Sequence, residues 1–159
     1  MKENRGYIDN LNERRLFFHK NFPLKISRRR RDVNIFDILK NSCPVCGYLT
    51  LIERNIYDIC GICFWEDDGI DDFEENNESG PNRMTLKEGR ILFHEAKQKL
   101  LTSISSSDNF RSKLKNNFVK LDNLIKSYNV DKNEILKLQD EIVNILSKNK
   151  VYGLDKLFD

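Results

Sequence analysis

All four cysteines of this 159-residue chain fall in one short stretch, spaced Cys43-x2-Cys46-x13-Cys60-x2-Cys63. Each pair has the spacing at which a tight turn aims two sulfurs at one point. The residues between the pairs are rich in β-branched and aromatic side chains over 48–59 and read as a hairpin turning at Glu53-Arg54-Asn55. Such a hairpin returns the second pair to the first. Gly47 follows the first pair at a place where the backbone is expected to turn with positive φ, whereas Phe64 follows the second and makes that knuckle less regular. Four thiolates gathered in this way suit a tetrahedral zinc ion, with Cys43, Cys46, Cys60 and Cys63 as ligands. Iron in a four-cysteine site takes the same ligands and stays open. Four protein ligands leave no position for a substrate or a catalytic water, so the expected role is structural.

Other thiol chemistry fits less well. A thioredoxin-type redox pair opens a helix, and both pairs here adjoin expected strands. A nucleophilic cysteine needs a base, and the chain has only His19 and His94. No phosphate-binding glycine loop, nucleophile elbow or metalloprotease motif is present, so no enzyme is expected. The N-terminal "MKENRGYIDNLNERR" has no apolar core of the secretory kind, and no run is long enough to span a bilayer. The expectation is a cytoplasmic protein without a membrane partner, in a compartment that keeps thiols reduced.

Charge is divided along the chain. Residues 1–31 carry ten Lys and Arg against three acids, while residues 53–78 carry ten acids against Arg54 alone. Eight of those carboxylates lie in the loop-like run from Glu66 to Glu78, at spacings unlike a calcium-binding loop. Two readings follow. The run is a solvated loop, with Phe64 and Trp65 covering the metal site or lying on the next helix. Alternatively it docks on a basic protein, with Phe64 and Trp65 as apolar anchors and Asp67, Asp68, Asp71 and Asp72 as the charged rim. The block Arg28, Arg29, Arg30 and Arg31 is the nucleic-acid signal, and its plain reading is a solvated arm or a partner for the chain's own acidic loop.

The rest reads as helix. "YIDNLNERRLFFHKNF" is a short amphipathic segment with Ile8, Leu11, Leu16 and Phe17 as apolar positions, ended by Pro23. Thr85 and Glu88 stand in capping-box register before a stripe of Leu86, Gly89, Phe93, Ala96 and Leu100. A second stripe runs Phe110, Leu114, Phe118, Leu121, Ile125 and Tyr128. A third, opened by Asp131, runs Ile135, Leu138, Ile142 and Ile145. These last two helices should lie antiparallel across a short turn. The expected fold is α+β. It comprises a basic N-terminal segment over 1–40, a zinc-ribbon-like module with its acidic loop and packed helix over 41–102, and a helical hairpin over 103–159.

The stretches "CPVCGYLTLIERNIYDICGICFWEDDGIDD" and "SGPNRMTLKEGRILF", roughly residues 41–97, resemble the cysteine-rich CPCC domain family of bacterial proteins. The resemblance implies a small metal-bound module with Cys43, Cys46, Cys60 and Cys63 as ligands. The family's name-giving run has an extra cysteine directly before the second ligand, where this chain has Val45. No biochemical activity comes with the resemblance. The expected function is therefore binding: a non-catalytic zinc protein whose acidic loop meets a basic partner, as an immunity or inhibitor protein against a secreted nuclease-like toxin would. The alternative is a nucleic-acid-binding module using the arginine block.

Overall fold

The computed structural model describes residues 6–22, 41–103 and 109–158. The arginine block at Arg28–Arg31 lies outside the described residues.

Helix α1 (Gly6–Asn21) buries Leu11, Arg14 and Phe18, three positions on one stripe of a 3.6-residue repeat. Leu16, expected on the apolar face, is 68% exposed on the other side. Strand β1 (Asn41–Ser42) pairs antiparallel with β2 (Leu49–Leu51), and the first Cys-x2-Cys is the turn between them. The strand expected to continue the hairpin from β2 pairs elsewhere. Residues 57–60 bond to 65–67, through Tyr57 N–H to Asp67 O, Asp67 N–H to Asp58 O and Cys60 N–H to Trp65 O, each 2.9 Å. The physical reason is local. Each Cys-x2-Cys is itself a tight turn, and tight turns join antiparallel neighbours. Each arm therefore pairs across its own knuckle, and the arms meet each other through side chains, as where Asp58 Oδ2 accepts from Ile52 N–H at 2.6 Å.

A short ladder of β3 (Glu78–Ser79) and β4 (Met84–Thr85) closes the acidic loop and leads into α2 (Leu86–Thr102). The capping box forms as expected. Thr85 Oγ1 accepts from Glu88 N–H at 3.1 Å, and Glu88 Oε2 accepts from Thr85 N–H at 2.7 Å. Helix α3 (Phe110–Ile125) is capped by Asn109, and α4 (Lys132–Lys148) by Asp131. They run back along each other: Asn117 meets Glu141, while Lys113 and Lys148 flank the same groove. Helix α3 stops at Ile125, so Tyr128 lies beyond it and is fully exposed. A 3-10 turn at Leu154–Lys156 then buries Leu154 and Leu157 against α2. The class is α+β, with the cysteine cluster at small hairpins and four helices around it.

One buried cluster runs from Phe18 through Tyr48, Trp65 and Phe93 to Phe118 and Ile142, so the three segments share a core. Polar groups tie it as well. Leu49 N–H donates to Gln139 Oε1 at 2.9 Å. Lys97 Nζ donates to Tyr48 Oη at 2.8 Å and pairs with Asp122 Oδ2 at 2.6 Å, and Tyr48 Oη donates to Asp122 Oδ1 at 2.7 Å. This triad joins the first knuckle to α2 and α3. Burial, with Arg14 adding to it, pushes Lys97 from an ordinary 10.5 down to about 8 against the pull of Asp122. Between those values the unfolded chain holds more protons than the folded one. The stability due to Lys97 is therefore lost as pH falls through about 8 and gained as pH rises towards 10. We predict that the stability of the native protein relative to Lys97→Met rises between about pH 8 and pH 10, by on the order of 2 kcal/mol. Denaturant unfolding at the two pH values measures it, and equal differences would show that Lys97 carries no such burial penalty.

Candidate metal centre

The two knuckles repeat one backbone pattern. In the first, Cys43 N–H donates to Tyr48 O and Gly47 N–H to Cys43 O, both 2.9 Å. In the second, Cys60 N–H donates to Trp65 O and Phe64 N–H to Cys60 O, again 2.9 Å. Gly47 has φ +77° and Phe64 has φ +64°. The second knuckle is thus as regular as the first, and the difference in sequence appears as strain. A bulky residue held in the left-handed region costs roughly 1–2 kcal/mol.

The knuckles face each other and interleave their sulfurs. Cys43 Sγ lies 3.5 Å from Cys63 Sγ, and Cys46 Sγ lies 3.6 Å from Cys60 Sγ. All four sulfurs fall within 4.8 Å of one another. A zinc–sulfur bond of about 2.3 Å in a tetrahedron separates sulfurs by about 3.8 Å, so the donor set fits such an ion. Thr50 Oγ1 donates to Cys60 Sγ at 3.0 Å, and the Ile62 and Cys63 N–H groups point at the same sulfur at 3.4 and 3.5 Å. Burial pushes the Cys46 and Cys63 thiols well above the usual range, and hydrogen bonding with Cys43 pushes the same way. Burial also opposes ionisation at Cys60, but bonds from Cys43, Cys46 and Cys63 outweigh it and hold that thiol low. A bound metal cation would favour the charged form of all four.

Helices hold the knuckles from outside. Arg14 Nε on α1 donates to Cys46 O at 2.8 Å, and Arg90 Nε on α2 donates to Pro44 O at 2.9 Å. A Cβ at Gly47 would stand 3.0 Å from Leu11 Cδ1 and 3.2 Å from the Leu11 carbonyl, so α1 needs glycine there. A Cβ at Gly61 would meet Val143 of α4 at 2.9 Å. Val45 is buried against α2, and the sulfur set is complete without a thiol at that position. His94 is outside the cluster, with burial, then Arg14 and Lys97, lowering its pKa.

The acidic run is fixed in place rather than free. Asp67 is fully buried; its Oδ2 accepts from Arg54 Nε at 2.7 Å and from Asn55 N–H at 2.8 Å. Asp68 accepts from Ser79 Oγ at 2.8 Å. Asp71 caps the 3-10 turn Asp72–Glu74 and pairs with Arg15 at 3.3 Å and Arg54 at 3.5 Å. Asp72 pairs with Arg15 at 2.9 Å and with Arg90 at 2.5 Å. Burial alone would raise the Asp72 pKa, but bonds from Arg90 and Arg15 outweigh it and bring it below the usual carboxylate range. Trp65 is buried with its ring against Gly89. Phe64 is 45% exposed and lies 5.5 Å from Tyr152, ring to ring. Of the six residues expected to meet a partner, Phe64 and Asp72 reach the surface, Asp68 and Asp71 do so in part, and Trp65 and Asp67 do not. Sequence reasoning missed Phe73, which is fully exposed between Asp72 and Glu74. Its signal was an aromatic residue flanked on both sides by acids.

Residues 41–99 match the family model described as cysteine-rich CPCC, and this segment contains all four sulfurs of the cluster. No curated protein and no solved structure matches the chain. Among the described residues, no helix is long and apolar enough to cross a membrane.

Purified protein should carry about one metal ion per chain, with zinc as the expected element. Structural zinc contributes on the order of 10 kcal/mol to folding, comparable with the whole stability of a domain. Because the knuckles share their core with α2, α3 and α4, Cys60→Ser should lower helicity as well as loosening the knuckles. Far-ultraviolet dichroism and amide protection, read with and without a chelator, check this. Helicity unchanged by chelation would show that the ion does not hold the shared core.

Proposed function

We propose that the chain is a non-catalytic binding protein. In this reading a structural zinc ion at Cys43, Cys46, Cys60 and Cys63 fixes an acidic loop, and the outer face of that loop docks on a basic protein. A four-thiolate set closed by the protein supports the non-catalytic role, since it offers no open coordination position.

The observation that carries the partner reading is Phe73. It stands fully exposed on a turn that Arg15, Arg54 and Arg90 grip from behind through Asp67, Asp71, Asp72 and Glu75. The outward carboxylates of Glu74 and Glu78 have no ion-pair partner among the described residues. An apolar anchor on a rigid turn within an acidic rim has the composition of a docking surface, and the prior ordering lowers the entropy lost on binding. Negative charge on that face speeds encounter with a basic partner and repels nucleic acid. An immunity or inhibitor role towards a basic secreted toxin is the setting that such a face suits.

The test replaces Phe73 by Ala and Glu74 and Glu78 by Gln together, in a protein whose metal content and helicity are checked first. Association with the basic protein recovered by affinity capture should slow by about tenfold and lose much of its salt dependence. Unchanged association would remove the loop from the interface. Tight nucleic-acid binding with a steep salt slope that depends on Arg28–Arg31 would instead favour the nucleic-acid reading.

A further inference from the structure

Behind the second knuckle lies a groove of about 260 Å³, walled by Phe64, Tyr152, Leu92 and Met84, with Trp65 and Glu66 also in its lining. We propose that this groove is a receptor for one cationic side chain, an arginine or lysine, of a basic polypeptide. The inference rests on the proposed function in that it names a group such a partner would present, and it places that group apart from Phe73.

Three observations carry it. The first is the aromatic corner. The Phe64 and Tyr152 rings stand 5.5 Å apart at 50° to each other, and the residues are 45% and 58% exposed. A cation within about 6 Å of an aromatic centroid is attracted by the ring face, and a flat guanidinium also stacks on it. The second is Glu66. Its backbone is fixed, with the N–H donating to Asn82 Oδ1 at 2.9 Å and the carbonyl accepting from Asn82 Nδ2 at 2.8 Å. Glu66 lines the groove, and its carboxylate has no ion-pair partner among the described residues. Asp155 and Lys156 also line the groove and pair with each other at 3.4 Å, so Glu66 leaves it an excess of negative charge. The third is strain. Phe64 holds φ +64° at the position where the twin knuckle has glycine. An aromatic residue kept in that conformation while half exposed is better explained by what its outer face meets than by burial.

Trp65 is the chain's only tryptophan and lines the groove, so the native protein reports on it directly. The probe is the capped tripeptide Gly-Arg-Gly, with its lysine counterpart and a neutral isostere carrying citrulline. The arginine and lysine peptides should shift Trp65 emission and the amide resonances of residues 64–66 and 152–156, saturating at roughly millimolar concentration. The citrulline peptide should bind about tenfold more weakly. Glu66→Gln and Tyr152→Ala should each weaken the arginine peptide about fivefold or more. Phe64→Gly should abolish the response while the protein keeps its metal and melting temperature, since glycine suits that φ. The Phe73, Glu74 and Glu78 substitutions should leave peptide binding unchanged. Equal binding of the citrulline peptide, resonance shifts elsewhere on the surface, or full affinity in folded Glu66→Gln and Phe64→Gly variants would overturn the inference. Docking at Phe73 would then stand or fall by its own test.

Discussion

The fold depends on two tight turns held face to face by four sulfurs. Neither knuckle has enough apolar surface to order itself. The first strand pair is two residues against three, and the second is a single bridge between Ile59 and Glu66. An ion joining Cys43 to Cys63 and Cys46 to Cys60 would turn two weak turns into one rigid block, against which the helices close. Arg14 and Arg90 bond the carbonyls of Cys46 and Pro44, which the turns leave unpaired within the knuckle. Arg90 is 2% exposed, so it needs full pairing, and it finds it at Asp72 and Glu75 as well as at Pro44. A single buried guanidinium therefore connects the metal knuckle to the acidic loop. Disturbance at either end reaches the other through it.

Much of this was legible in the sequence because it is local. The Cys-x2-Cys spacing, the Thr85–Glu88 capping box and the three-four stripe of α2 are set within a turn or two of chain. The strand partners were not legible. Apolar patterning over 48–59 says that residues are extended, but not that each arm prefers to pair across its own knuckle. Phe18 was missed on α1 because Leu16 and Phe17 are equally apolar, and only the position of the first knuckle selects the buried stripe. The Lys97–Tyr48–Asp122 triad had no sequence signal. Its members lie far apart along the chain, and a lysine on a helix reads as solvated.

The acidic run shows the same limit in electrostatic form. Read along the chain, eight carboxylates face one nearby arginine and should repel one another. In space the balance differs, since Arg15 reaches Asp72 across 57 positions and Arg90 reaches it across 18. The arginines pair with Asp67, Asp71, Asp72 and Glu75, which leaves Glu74 and Glu78 to make the exposed face negative. Charge blocks in sequence therefore predicted the sign of the surface but not its origin. The residual charge results from sorting acids between those paired with arginine, whether buried like Asp67 or exposed like Asp72, and those left unpaired.

The twin knuckles allow a comparison within one molecule. At Gly47 the approach of α1 forbids any side chain, since a Cβ would press on Leu11 and Arg14. Position 64 has the same backbone conformation, and space for a large ring. Steric necessity thus explains the glycine, and space alone permits the phenylalanine without explaining it. Burial accounts for part of the difference, through contact with Tyr152. Yet nearly half of Phe64 remains in water, and the left-handed backbone there still costs roughly 1–2 kcal/mol. Gly153 lets Tyr152 reach this place: it holds φ +108°, and a Cβ there would lie 3.1 Å from the Cys63 carbonyl. The C-terminal turn is thereby pressed onto the metal knuckle, and its tyrosine completes the aromatic corner beside Glu66. A metal ion held by the four sulfurs would thus position two surfaces at once, the Phe73 turn through Arg90 and the Phe64 groove through Cys63. A partner that used both would be held by a scaffold already rigid before it arrived.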